Sequence, residues 1–275
     1  MPRFGFNINF RHTPEDILTM GEKLLGTGEF EAIEVTYYEN MQDVDTHAYN
    51  DAIRRIAAAY KPQVVVHISS FNTSEENSVL RSAILHEFRN CCAYTRQLGG
   101  HEIVMHSGRV KNSLHVPLVP HSSVRAEDSF DRAWQLSVQL FRTCCDIARE
   151  YGITVYTENL NDINLTISCE SVVRFVEDID RENLDIVFDI GHSHRNGGNI
   201  PSEVLTCGSR LRHLHLHDNF GDRDAHLPIG EGNIDYRSFC EALRQIGYDG
   251  LYMMELRFGT PESLLESKKR LLACM

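Results

Sequence analysis

Short apolar runs alternate with longer amphipathic stretches along this chain, and the alternation repeats eight times. The runs near 4–9 (FGFNIN), 32–38 (AIEVTYY), 64–70 (VVVHISS), 102–107 (EIVMHS), 154–160 (TVYTENL), 185–190 (DIVFDI), 211–217 (LRHLHLH) and 251–256 (LYMMEL) read as strands. Helical periodicity fills 14–25, 45–60, 75–98, 129–150, 169–179, 201–207 and 235–246, with a last helix near 261–273. Thr13-Pro14 supplies an N-cap and a first-turn proline, and Thr73 with Glu76 has the spacing of a capping box. Gly26, Gly99, Gly152, Gly208 and Gly247 stand where helices should stop in a left-handed residue.

Eight strand and helix units predict an α/β fold, a closed (β/α)8 TIM barrel, with a doubly wound open sheet as the runner-up. No proline-rich or glycine/serine-rich linker interrupts the pattern, so residues 1–275 read as a single domain. The longest irregular stretch, 109–128, carries His115, Pro117, Pro120 and His121 and reads as a loop over the barrel mouth.

Polar residues gather where the strands end. Period two along 211–217 puts Leu211, His213, His215 and His217 on one side and Arg212, Leu214 and Leu216 on the other. Asp218, Asp224 and His226 follow, then a turn at Gly230 and Gly232. Elsewhere His67 ends VVVH, His106 ends IVMH, Glu158 and Asn159 end TVYTEN, Asp189 ends IVFD with His192 three residues on, and Glu255 ends YMME. A charged group following apolar residues needs a partner. Singly, each has a plain structural explanation: a hydrogen-bonded core histidine, or a glutamate paired with Arg or Lys. Six such coincidences at six strand ends point instead to a shared divalent ion, zinc or manganese, which imidazole and carboxylate suit. His194, His213 and His217 read as groups that hold the ligands in place. His12, His47, His86, His101, His115 and His121 read as loop or surface residues.

Composition narrows the partners. Asp plus Glu number 39 against 27 Lys plus Arg, a formal charge of −12, which disfavours a nucleic-acid backbone as partner. A metal cluster would concentrate positive charge in one cleft and keep a phosphodiester in play. The eight cysteines form no CxxC pair or disulfide framework and read as small buried apolar residues. No stretch approaches the ~18 apolar residues of a membrane helix, and the start lacks a signal-peptide run, so the expected location is cytoplasmic.

With the motifs VVHIS, VMHSGR, TENL, FDIGHSH, HLHDN, RDAHLPIGEG and MMEL in this order, the chain resembles the xylose isomerase-like barrel superfamily. That superfamily holds sugar isomerases and epimerases and also the type IV apurinic-site endonucleases. The resemblance implies that Glu158, Asp189, His215 and Glu255 hold a divalent ion. His215 is preferred to its neighbours because it stands three residues before Asp218 in an HxxD element. The endonuclease branch implies up to three zinc ions: His67, His106 and Glu158 for one, the quartet for the second, and His192, Asp224 and His226 for the third.

Two reactions follow. In the first, the enzyme isomerises or epimerises a sugar or sugar phosphate: the ion stabilises an enediolate, and Glu158 and Glu255 move the proton. Arg109, Arg257 and Asn159 are then expected at the substrate's hydroxyl or phosphate groups. In the second, a zinc cluster hydrolyses a phosphodiester at an abasic site, a use for which the mouth loops are thin in basic and aromatic residues. A metal-stabilised binding protein without turnover is a third reading, resting only on the rule that fold does not fix function. Association into a homo-oligomer is compatible with the polar helix faces.

Overall fold

A computed structural model of the chain describes residues 2–38, 46–68, 71–110, 126–161 and 164–275. Eight parallel strands follow one another around a ring: β1 (Arg3–Ile8), β2 (Ala32–Thr36), β3 (Gln63–Ile68), β4 (Glu102–Met105), β5 (Thr154–Glu158), β6 (Leu184–Asp189), β7 (Leu211–Leu216) and β8 (Leu251–Met254). Pairing of β8 with β1 closes the barrel, as the eight apolar runs predict. Among the described residues the helices are α1 (Pro14–Met20, continued by a π-helical turn, Gly21–Leu25), α2 (His47–Tyr60), α3 (Ser78–Gln97), α4 (Ala126–Glu150), α5 (Cys169–Ile179), α6 (Ile190–Arg195), α7 (Ile200–Cys207), α8 (Tyr236–Gln245) and α9 (Pro261–Leu272). None of them is long and apolar enough to cross a membrane.

The strands' period of two builds two separate apolar layers. Phe4, Phe6, Ile8, Val64, Val66, Ile186, Phe188, Leu214 and Leu216 face outward and pack with the helices in the main core. Ala32, Val65, Val104, Tyr156, Val187, Leu251 and Met253 face inward and fill the barrel floor. Two residues further along, each strand presents its next inward side chain: Glu34, His67, His106, Glu158, Asp189 and Glu255 follow Ala32, Val65, Val104, Tyr156, Val187 and Met253. The floor therefore excludes water from below, and the polar ring above it faces the mouth, where this fold builds its sites.

The seventh strand departs from strict alternation. Ile186 pairs with Leu211 but Val187 pairs with His213, so Arg212 is an extra residue on β7, a β-bulge. Leu211 consequently packs in the outer core with Leu214 and Leu216, while His213, His215 and His217 face inward. Sequence periodicity placed Leu211 with the histidines; the bulge moves it to the other face.

Other local expectations divide. Thr13 caps α1 in a capping box with Asp16, and Gly99, Gly152, Gly208 and Gly247 take positive φ after their helices. Gly26 does not (φ −63°), because the π-helical turn carries the helix onward and the left-handed residue comes at Gly28. Thr73 caps nothing: α3 starts at Ser78 under the Asn77 side chain, and the Thr73 hydroxyl bonds to that of Ser137 at 2.6 Å. His12 is buried, not on the surface. The expected mouth loop lies outside the described residues over 111–125.

Candidate active site and metal centre

Asp189 organises one side of the mouth. Its carboxylate accepts the His192 backbone N–H at 2.7 Å and so starts α6, the short helix that the sequence periodicity does not announce. That turn brings His192 back over the barrel, where its Nδ1–H donates to the Asn159 carbonyl (2.9 Å) and leaves Nε2 facing Asp224 at 3.6 Å. Asp218 organises the other side. Its buried carboxylate accepts N–H groups from Asn219, Gly230 and Ile234, folding residues 218–234 into a tight loop. A Cβ on Gly232 would stand 2.3 Å from Asp218 Oδ1, so this turn requires glycine. The loop carries Asp224 and His226. His226 adopts φ 47°, and its Nδ1–H donates to the Glu255 carbonyl (2.9 Å), aiming Nε2 at Asp224 Oδ2 (3.0 Å).

The quartet from β5, β6, β7 and β8 converges. His215 Nδ1 lies 3.0 Å from Glu158 Oε2, 3.3 Å from Glu255 Oε2 and 3.8 Å from Asp189 Oδ2. The first triad converges as well: His106 Nε2 is 2.7 Å from Glu158 Oε1, and His67 Nε2 is 2.9 Å from His106 Nε2 and 3.5 Å from Glu158 Oε1. Among the described residues five donor groups are compact enough to hold an ion: the three expected (His67, His106 and Glu158; Glu158, Asp189 and His215; His192, Asp224 and His226), together with Glu34, His67 and His215, and with His217, His226 and Glu255.

The donor set fits divalent ions on its own geometry. Glu158 Oε1 and Asp224 Oδ1 are buried without an aligned hydrogen bond, the first although His106 Nε2 lies 2.7 Å away and the second with His217 Nε2 at 4.0 Å. Two ring nitrogens facing each other at 2.9 Å, as in His67 and His106, need a proton or a cation between them. His192 and His226 each give Nδ1–H to a backbone carbonyl and turn Nε2 to a shared carboxylate, the tautomer that ligation requires.

Electrostatics say the same. Burial raises the Glu158 carboxyl, but the imidazoles of His215 and His106 outweigh it and hold it well below the usual carboxylate range. Burial likewise works against Asp189, and His192 and His217 bring it down. Burial lowers the imidazoles of His192 and His226, yet Asp189 and Asp224 raise the first to about 10, and Glu255 and Asp224 raise the second to about 9. The buried carboxylates thus favour positive charge at these rings, the charge a divalent ion would supply on binding.

A cavity of about 310 Å³ opens above these groups, lined also by Asn7, Asn9, Tyr38, Asn161, Asn164 and Arg257. Arg257 lies in its wall, with Nη2 donating to the Asp224 carbonyl at 2.6 Å. Asn159 is fully buried instead, its amide joined on both sides to the Asp189 backbone at 2.8 Å, a clip between β5 and β6. Arg109 is exposed and absent from the cavity wall; its backbone is held by Asn72 and bridged to Asn164. His194 bonds to Asn233 at the rim, and His217 lies 3.2 Å from Asp189 and stacks on His226 at 3.8 Å.

Sequence reasoning passed over Glu34. From β2 it reaches His67 Nδ1 (3.2 Å), His213 Nε2 (3.1 Å) and His215 Nε2 (3.1 Å). The signal was a lone carboxylate within AIEVTYY, an apolar strand that could bury it only against cations or N–H donors.

Residues 23–273 match the family model described as xylose isomerase-like TIM barrel. An uncharacterized protein of Methanocaldococcus jannaschii is 30% identical over 254 residues, 88% of this chain and 80% of that protein. The inosose isomerase of Bacillus velezensis is 27% identical over 71% of this chain and 67% of its own length. A crystal structure of a D-tagatose 3-epimerase-like protein superposes with a TM-score of 0.76 at 26% identity, covering 99% of this chain and 96% of that one.

Proposed function

The chain belongs to the xylose isomerase-like TIM barrel family, and from that premise we propose that it is a divalent-metal-dependent isomerase or epimerase of a sugar, sugar phosphate or related polyol ketone. The convergence of Glu158, Asp189 and Glu255 on His215 Nδ1 within 3.8 Å carries the reading. The likeness to an inosose isomerase and to a D-tagatose 3-epimerase-like protein supports the substrate class. A cavity of about 310 Å³ stands at the small end of the roughly 300–1,000 Å³ of small-ligand sites and suits a monosaccharide-sized molecule.

Glu158, Asp189, His215 and Glu255 would hold the ion. When bound, zinc or manganese supplies Lewis acidity that stabilises negative charge on the substrate's oxygens as the α-proton leaves. Glu158, kept ionised by its imidazole neighbours, is suited to accept that proton. Glu255, at the end of β8 and more open to the cavity, returns one from its own side. Two carboxylates at different places are what inversion or carbonyl migration needs. The apolar floor keeps water from the exchanging proton from below. Arg257, in the cavity wall beside Glu255, is the side chain assigned to a hydroxyl or phosphate group.

Turnover of ketoses and inososes by metal-loaded protein in D2O should place deuterium on the carbon next to the carbonyl, read by NMR. Glu158→Gln and Glu255→Gln should each cut that rate about 10²–10⁴-fold. A second reading, phosphodiester hydrolysis at a multinuclear zinc site, is favoured by the compactness of the three donor groups that such a site would use. Cleavage of an abasic duplex, with no exchange on any ketone and two or three ions per chain by metal analysis, would replace the first reading with the second.

A further inference from the structure

The carboxylate of Glu34 stands apart from the quartet, below it, at 2% exposure. Taking a carboxylate this far from water is expensive unless every lone pair finds a partner, and the partners here are imidazoles. Oε1 lies 3.2 Å from His67 Nδ1, and Oε2 lies 3.1 Å from His215 Nε2. His213 Nε2 is also 3.1 Å from Oε2, but in an alignment poor for a hydrogen bond.

The two aligned contacts fix which nitrogen of each ring faces upward. A neutral imidazole has one N–H and one lone pair. His215 that donates Nε2–H to Glu34 must present its lone pair at Nδ1, the atom on which Glu158, Glu255 and Asp189 converge. His67 that donates Nδ1–H presents Nε2, the atom facing His106 and Glu158. The two rings stand 5.5 Å apart at a 32° tilt, so one carboxylate between them sets both.

We propose that Glu34 is the positioning residue of the metal centre: it locks His215 and His67 in the tautomers whose free nitrogens point to the ion, and it balances the ion's charge from beneath. This rests on the metal-dependent reading above. Glu34 touches neither the cavity nor the expected substrate, so it acts through the histidines.

The test uses the full chain, stripped by chelator and titrated with Mn²⁺ by calorimetry. Glu34→Gln, which keeps shape but turns an amide N–H toward one of the rings, should weaken Mn²⁺ binding 10–100-fold. Val65→Ala loosens the apolar floor beside Glu34 without removing a contact to either ring and should bind Mn²⁺ as the wild type does. Glu34→Asp should fall between, and it carries the comparison should the Gln variant not fold. In the zinc-loaded wild type, two-bond ¹H–¹⁵N spectra should show His215 protonated at Nε2 only. Equal Mn²⁺ affinity in wild type and Glu34→Gln, equal losses in Glu34→Gln and Val65→Ala, or His215 protonated at Nδ1 would each overturn the role of Glu34 and leave the metal reading intact. A wild type that takes up no divalent ion overturns both.

Discussion

At the scale of single residues, burial forces a commitment that exposure does not. His12 shows it outside the site. Its Nδ1 accepts the Asn9 N–H (3.2 Å) and its Nε2–H donates to the Gly259 carbonyl (3.1 Å), tying the end of the first strand to the turn after the last. Only the neutral ring can do both, and burial lowers its pKa from the ordinary 6.5, more than Asp16 and the backbone carbonyl raise it. The sign follows from linkage: with the folded value depressed, its contribution is whole above pH 6.5 and is lost as pH falls toward the folded value. His12→Gln should flatten that part of the stability curve in denaturant melts taken from pH 7 to 5. It should also lower stability at pH 7 by on the order of 1–2 kcal/mol for the lost bonds. Unchanged acid sensitivity would mean that the ring is not held neutral. The sequence put His12 among loop or surface histidines, and it does lie in the loop before α1; its burial was not foreseen because nothing near it in the chain announces Gly259, 247 residues away. Glu34 was unread for a related reason. A carboxylate inside a strand shows that a partner is required, whereas the identity of that partner depends on which strands are neighbours across the ring.

Secondary-structure elements carry the second kind of constraint. The Asp189 carboxylate caps α6 and faces His217 and His215 at once, so the helix start and the donor cluster cannot be moved independently. Gly191 is where this becomes tight: a Cβ there would lie 2.0 Å from His217 Cε1. The His217 ring cannot yield easily, being stacked on His226 and bound to Asp189. Gly191→Ala should therefore lower unfolding free energy by about 1–3 kcal/mol, the range of overpacked cores. Combined with His217→Ala it should cost less than the sum of the two changes, measured as a double-mutant cycle by urea melts. Simple additivity would show that the helix moves aside. All eight strands, their order of chemistry and most helix ends were legible, because periodicity and caps are local signals. Boundaries at Gly26 and Thr73 were not, since a π-helical turn and a hydroxyl pair between residues 73 and 137 depend on packing against distant segments.

For the molecule as a whole, the donors come from strands spread around most of the ring, so ions held by them would together join β3 through β8. Binding to the folded state alone stabilises it by RT ln(1 + [L]/Kd), about 2.7 kcal/mol at a hundredfold excess over Kd. For a domain of this size that is roughly 5–10 °C in Tm. Adding Mn²⁺ or Zn²⁺ to chelator-treated protein should raise Tm in a concentration-dependent way, by scanning calorimetry, and EDTA should reverse it. A Tm indifferent to both ions would argue against a shared centre. The convergence of these side chains was legible in outline from six strand ends that each ended in a polar group. Asn159 shows where that inference stops: the pattern places a polar group at the mouth, while its cross-strand partner decides whether it looks up at a ligand or sideways at a backbone.

Arg212 has a last implication. Because β7 carries one surplus amino acid just before its histidines, the odd-numbered and even-numbered positions beyond it trade inside for outside relative to an uninterrupted count. Exchanging the arginine for another residue leaves this parity alone. Dropping it would set Leu211 directly before His213, opposite Ile186 and Val187 in strict alternation, so the leucines stay under the helices and the imidazoles stay inside: this strand can lose its surplus residue without exchanging its faces.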